Sequence, residues 1–255
     1  MITTTQFLGE LLGSFTLIAM GCGVSMNHTL NKSYGLGNTA TLSGPLGWGF
    51  SVAMAIIVAS PFNSGAHFNP AVSIGFAAAG LFPWASVLPY MVAQALGSFL
   101  GAIAAWFMYK KQFDATENEP SKLLGVFATN AAVRNPVHNF ANEAFATFFL
   151  VFISLMMLPP KLVINGSDVP IGLGANGVLI NGFLIFSIGM AFGGVTGWSL
   201  NPTRDLLPRL AHQLLPIKGK GNSDWGYGIS IASLGPIVGC LIAAVMFLLV
   251  KPYFF

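Results

Sequence analysis

Long apolar stretches, separated by short polar ones, dominate this chain. Runs at about 7–27, 43–60, 84–109, 139–158, 172–192 and 228–250 each match a membrane-crossing helix, which takes roughly 20 apolar residues. Two further apolar segments, at about 69–81 and 201–215, are too short to cross and read as re-entrant or buried. Polar connections fall at about 28–42, 110–138 and Pro159-Pro160-Lys161. The pattern predicts an all-α membrane protein with six transmembrane helices and two re-entrant half-helices.

The pattern repeats. Glu10 stands near the start of the first span and Glu143 near the start of the fourth. Ser64-Gly65 precedes Asn69-Pro70 by the same interval as Thr196-Gly197 precedes Asn201-Pro202. Gly97 and Gly101 in the third span are paired with Gly235 and Gly239 in the sixth. Such four-residue glycine spacing lets membrane helices approach closely and is a packing feature. Each half, about 1–110 and 139–255, holds three spans and one short segment, so the second half inserts upside down relative to the first. Inverted repeats with broken helices at the midplane mark transport proteins. One channel domain is expected over 1–255, its halves joined by an extracellular loop.

Composition supports lipid as the solvent: 54% of the 255 residues are hydrophobic and only 7% charged, against about 25% charged in soluble domains. No Asp, Glu, Lys or Arg occurs between positions 33 and 109. No cleavable signal is expected, because the first 25 residues lack Lys and Arg. A regulatory tail is not expected, because the segments outside the first and last spans are short. Cys22 and Cys240 fall inside apolar runs and read as buried small hydrophobes. A net charge of +3 gives no reason to expect nucleic acid. No metal-ligating cluster, cofactor motif or hydrolase constellation stands out, so an enzyme is not expected.

The doubled Asn-Pro carries the chemistry. Asn is a strong N-cap, and Pro70 or Pro202 suits the first helical position. With the Asn oxygen bound to the helix N–H groups, its NH2 faces whatever lies beyond. Each helix N-terminus also carries roughly half a positive charge. Two such ends meeting at mid-membrane repel cations and pass neutral molecules. A single copy would be an ordinary cap, as Asn135-Pro136 is expected to be.

At these residues the chain resembles the aquaporin family, and within it the glycerol-conducting branch. Ser64-Gly65-Ala66-His67-Phe68-Asn69-Pro70-Ala71-Val72 looks like the first pore motif, and Gly197-Trp198-Ser199-Leu200-Asn201-Pro202-Thr203-Arg204-Asp205 like the second. Thr203 replaces the usual Ala, a change expected to alter packing between the half-helices. The resemblance implies a four-position filter at Trp48, Gly189, Trp198 and Arg204. Gly189, where water-selective members typically place His, leaves room for a carbon backbone, and Trp48 matches the glycerol branch. Trp198 stands where Phe is more usual and adds bulk and an indole N–H. Arg204 would offer donors to solute hydroxyls. Carbonyls of Gly65, Ala66, His67, Gly197, Trp198 and Ser199 would accept from them. Asp205 is expected to tie down the loop near Arg204. Glu10 and Glu143 are expected to accept from the pore-loop backbones, and His67 to brace its loop. His28, His138 and His212 read as incidental.

The resemblance further implies a homotetramer with one pore per subunit and both termini cytoplasmic, in the plasma membrane of a bacterium. Charge argues against that orientation. It leaves Lys32, Lys110, Lys111, Lys122, Arg134, Arg204, Arg209, Lys218 and Lys220 on the outer side, the reverse of the positive-inside rule. The function expected is passive diffusion of glycerol with some water, excluding ions and protons. Dihydroxyacetone, urea and protonated small acids also fit a wide neutral filter. A water-selective channel or a secondary active transporter is the alternative, the latter requiring coupling carboxyls at the midplane.

Overall fold

The computed structural model describes residues 2–253 except 38–39, 158–160, 165–166 and 171–174. The expected loop residues Pro159 and Pro160, and the ends of the fourth and fifth expected spans (158 and 172–174), lie outside the described residues. The helices are α1 (Thr4–Thr29), α2 (Ala40–Ala59), α3 (Pro70–Ala78), α4 (Trp84–Met108), α5 (Lys110–Asp114), α6 (Pro120–Gly125), α7 (Pro136–Met156), α8 (Ala175–Thr196), α9 (Pro202–Leu214), α10 (Trp225–Ser230) and α11 (Leu234–Val250). Six segments among the described residues are long and apolar enough to cross a membrane. They comprise α1, α2, α4, α7, α8 and the α10–α11 pair.

Helix α3 spans roughly 14 Å and α9 roughly 20 Å at 1.5 Å per residue. Neither crosses alone, and end to end they match one hydrocarbon thickness of about 30 Å. The chain thus forms six crossings plus a seventh built from two half-helices.

The repeat is visible in side-chain detail. A Cβ on Gly97 would sit 2.2 Å from Leu11 O and 2.9 Å from Phe15 N, and one on Gly239 would sit 2.1 Å from Ala144 O and 3.0 Å from Phe148 N. Leu11 follows Glu10 as Ala144 follows Glu143, so Gly97 corresponds to Gly239. The sequence pairing of Gly97 with Gly235 is therefore one helical turn out of register. Spacing alone cannot choose between glycines four residues apart. Close backbone approach, which only glycine allows here, fixes the choice.

Two elements differ from the sequence expectation. The sixth span is interrupted at 231–233. Pro236 has no N–H to give the carbonyl four residues back, and that carbonyl, Ala232 O, instead accepts from Ser199 Oγ at 2.8 Å. The break therefore lets a pore-loop side chain bond to the sixth span. Beyond Pro160, β1 (Lys161–Ile164) pairs antiparallel with β2 (Ser167–Pro170), with Lys161 opposite Pro170. The membrane scaffold itself is all helical.

Candidate functional site: a lumen closed around two half-helix ends

Each pore loop runs through left-handed backbone before its half-helix. Gly65, Ala66 and Phe68 have φ of +81°, +56° and +51°, and Gly197, Trp198 and Leu200 have +79°, +41° and +57°. For residues other than glycine this geometry costs roughly 1–2 kcal/mol each, so something must hold it. The two glutamates do. Glu10 accepts from His67 N at 2.9 Å, Phe68 N at 2.8 Å and Gln94 Nε2 at 2.8 Å. Glu143 accepts from Ser199 N at 2.9 Å and Leu200 N at 3.1 Å. Both side chains are fully buried. With the N–H groups drawn outward to these carboxyls, the loop segments of Gly65, Ala66, His67 and Phe68, and of Trp198, Ser199 and Leu200, line a common cavity. Non-helical backbone at membrane depth is tolerated where it borders such a wet space.

The half-helices meet through their caps. Asn69 Oδ1 accepts from Ala71 N at 2.8 Å, while Asn69 Nδ2 donates across to Leu200 O at 2.9 Å. Asn201 Oδ1 accepts from Thr203 N and Arg204 N, and Asn201 Nδ2 donates to Phe68 O at 2.8 Å. Each carboxamide has two N–H donors, so these bonds leave one on each side unused. Pro70 and Pro202 open the two helices without requiring an N–H partner. Thr203 adds a third donor to Asn201 Oδ1, its hydroxyl lying at 2.9 Å. Its effect is on the cap itself, which the sequence expectation of altered helix packing did not anticipate.

Past the Asn201 cap, Trp48, Trp198 and Arg204 close in on the same cavity. The Arg204 guanidinium lies 4.0 Å over the Trp48 ring and donates to Phe127 O at 3.3 Å. Trp48 Nε1 donates to Ser25 Oγ at 3.1 Å. Trp48 and Arg204 thus reach the cavity as a guanidinium stacked on an indole ring. The Trp198 indole covers α8 at two glycines. A Cβ on Gly193 would lie 2.0 Å from Trp198 Cε3, and one on Gly189 would lie 3.1 Å from Trp198 Cε2 and 2.9 Å from Pro45 Cβ. Gly189 does not line the cavity. The space its missing side chain vacates is taken by Trp198 and Pro45, which corrects the expectation that it opens room directly for solute. Gly197 likewise sits behind the lumen, against Thr129.

Next to Arg204, Asp205 accepts from Thr129 N and Thr129 Oγ1, both at 2.7 Å, and from Arg209 Nε at 2.7 Å. Arg209 is fully buried and also donates to Thr129 O, Ser223 O and Asp224 O. The pair binds the 126–134 and 215–224 connections to α9. Arg209 is therefore no free loop cation. Lys220 donates to Gln213 O and Leu215 O at the end of α9. Lys110 pairs with Asp114, Lys122 with Glu119 and Arg134 with Asp224. Lys110, Lys122, Arg134 and Arg209, among the cations counted from sequence, are thus paired with carboxylates. His212 is a further correction: it is fully buried, and its Nδ1 bonds Ser223 Oγ at 2.9 Å. His67 bonds Ser73 Oγ at 3.0 Å, packs on Phe82 and lines the cavity. Asn135 caps α7 by accepting from His138 N, the ordinary role expected of it.

The cavity, of about 270 Å³, runs from Arg204 past both Asn caps to Ser154, Met157 and Asn181. Its other walls are apolar: Leu17, Val52, Ile56, Val72, Leu184 and Ile185. Asn181 was missed from sequence. An amide within an apolar run, with Ile185 at i+4 and Gly189 at i+8, was the available signal.

Six crossings with two half-helices meeting inside a single lumen define a membrane channel of inverted-repeat build. The major intrinsic protein family model matches residues 2–247. The chain belongs to that family, one of channels and facilitators, not enzymes. It is 44% identical to glycerol uptake facilitator protein 3 of Lactiplantibacillus plantarum, over 95% of each chain. It is 39% identical to the glycerol uptake facilitator protein of Streptococcus pneumoniae, over 95% of this chain and 97% of that one. Among solved structures, the aquaglyceroporin from Plasmodium falciparum superposes with a TM-score of 0.79 at 28% identity, covering 95% of this chain and 94% of that chain.

Proposed function

We propose that this protein is a passive channel for glycerol and other small uncharged solutes, with some water permeability. The observation that carries this reading is the lumen's chemistry. One wall is apolar, and the other presents loop backbone, the two Asn carboxamides and the Arg204 fork. A polyol has a CH face and a hydroxyl face, and the lumen matches both. The opposed N-termini of α3 and α9 hold positive potential at its centre and exclude cations and protons. The names of the similar proteins above support the choice of glycerol; water, dihydroxyacetone, urea and protonated small acids follow from the same chemistry. In this reading Trp48, Trp198 and Arg204 form the filter with Gly189 behind Trp198. Glu10, Glu143 and Asp205 hold the loops.

The channel would sit in the plasma membrane of a bacterium as a homotetramer. Residues 1–255 would form one domain, with both termini cytoplasmic and the 109–135 connection outside. A coupled transporter is less well supported, because it needs a titratable carboxyl in the lumen. Glu10 and Glu143 are buried behind the loops and do not line the cavity. The test is stopped-flow light scattering of proteoliposomes under a glycerol gradient. Swelling many times faster than in empty vesicles is expected, and equal rates would remove the proposal.

A further inference from the structure

The lumen has a second polar station, at the end away from Arg204. Asn181 on α8 and Ser154 on α7 both line the cavity there, among Phe76, Leu150, Leu184 and Met157. Asn181 stands eight residues before Gly189, roughly 12 Å along the helix. Its Nδ2 donates to Gly177 O at 3.0 Å. A carbonyl only accepts, so the amide nitrogen must face it, and Oδ1 is left toward the lumen. Ser154 follows the same logic: its hydroxyl proton goes to Leu150 O at 2.7 Å, leaving oxygen lone pairs free. The Ser154 proton and one Asn181 N–H are thus committed to their own helices, so the station offers the solute the Asn181 Oδ1 and the Ser154 lone pairs as acceptors beside one remaining amide N–H.

From this arrangement we infer that Asn181, together with Ser154, forms an acceptor-bearing solute site that selects small uncharged molecules carrying hydroxyl or N–H donors. The inference rests on the channel reading above. Arg204 at the opposite end has donors and no acceptor. A polyol carries both functions on every hydroxyl, so it can satisfy one station and then the other. Between them it slides along apolar wall and loop backbone. Water makes the same bonds but is small enough to be rehydrated by other waters in the file. A triol that fills the lumen has no such substitute, so the loss of this station penalises it selectively.

Asn181→Leu and Asn181→Thr decide the matter in proteoliposomes, with glycerol and water permeabilities measured on the same preparations. Thr can donate its hydroxyl to the carbonyl four residues back and keep a lone pair for the lumen. Asn181→Leu is expected to lower glycerol permeability at least about fivefold, the effect of one lost hydrogen bond, with water changed less than about twofold. Asn181→Thr is expected to restore glycerol to within about twofold of wild type, and Ser154→Ala to lower it in the same direction by less. Equal falls in water and glycerol, or unchanged glycerol in Asn181→Leu beside a conducting wild type, would overturn this inference alone. A wild type no faster than empty vesicles would overturn it together with the channel reading.

Discussion

Asn69, at the head of one half-helix, donates its carboxamide to Leu200 O, one residue before the head of the other, at 2.9 Å. The reciprocal bond runs from Asn201 to Phe68 O at 2.8 Å. The two caps therefore do more than end their helices. Each fixes the loop that precedes its partner, and each leaves one N–H unused. Pore geometry and the junction between half-helices are one structure.

Thr203 tests how much that junction tolerates. Thr203→Ala removes one of three donors to Asn201 Oδ1 but leaves the two backbone ones. A stability loss of about 0.5–1.5 kcal/mol is expected, read as a small drop in thermal unfolding temperature in detergent. Glycerol permeability should stay within about twofold, because the Asn201 carboxamide remains capped.

Gly193 is the stronger lever on selectivity. Its absent side chain makes room for the Trp198 indole, so Gly193→Ala must push the ring, and the open direction is the lumen. Overpacking of this kind costs about 1–3 kcal/mol, so glycerol permeability should fall roughly tenfold and water less. Adding Trp198→Phe, which shortens the ring system, should restore most of the glycerol flux. Gly189→His should act in the same direction, through Trp198 and Pro45.

The glutamates are expected to act as loop clamps. Gln at position 143 offers one acceptor where Ser199 N and Leu200 N need two. Leaving one buried N–H unpaired costs about 1–3 kcal/mol. Glu143→Gln should therefore lower both the unfolding temperature and the permeability to all solutes alike. That uniform loss separates a clamp from a filter residue.

Breaking the buried Arg209–Asp205 pair should be costlier. Arg209→Ala strands the Asp205 carboxyl in a fully buried site, and such losses run to about 3–5 kcal/mol. Thermal unfolding of the purified variant reads this directly. A loss under about 1 kcal/mol would mean that water replaces the guanidinium.

Much of this architecture was legible in the chain. Bilayer-length apolar runs marked the crossings, and two short ones beginning Asn-Pro marked the half-helices. What stayed hidden depends on contacts between distant segments. That Gly97 matches Gly239, and not Gly235, is decided by which carbonyl it touches. That Gly189 stands behind Trp198 follows from the left-handed turn at 197–198. Arg209 and His212 looked like loop residues because their partners, Asp205, Thr129 and Ser223, come together only in the fold. Asn181 was visible as an amide within an apolar run, and its direction was fixed only by the bond to Gly177 O.

The central claim is that the opposed half-helix ends pass neutral solute and reject charge. Proteoliposomes carrying a pH-sensitive dye, given a glycerol gradient and then a proton gradient, measure both on one sample. The account predicts rapid glycerol entry with proton flux no greater than in empty vesicles, and a rise in leak when Arg204 is replaced by Val. Proton flux in the wild type that tracks glycerol permeability would contradict it.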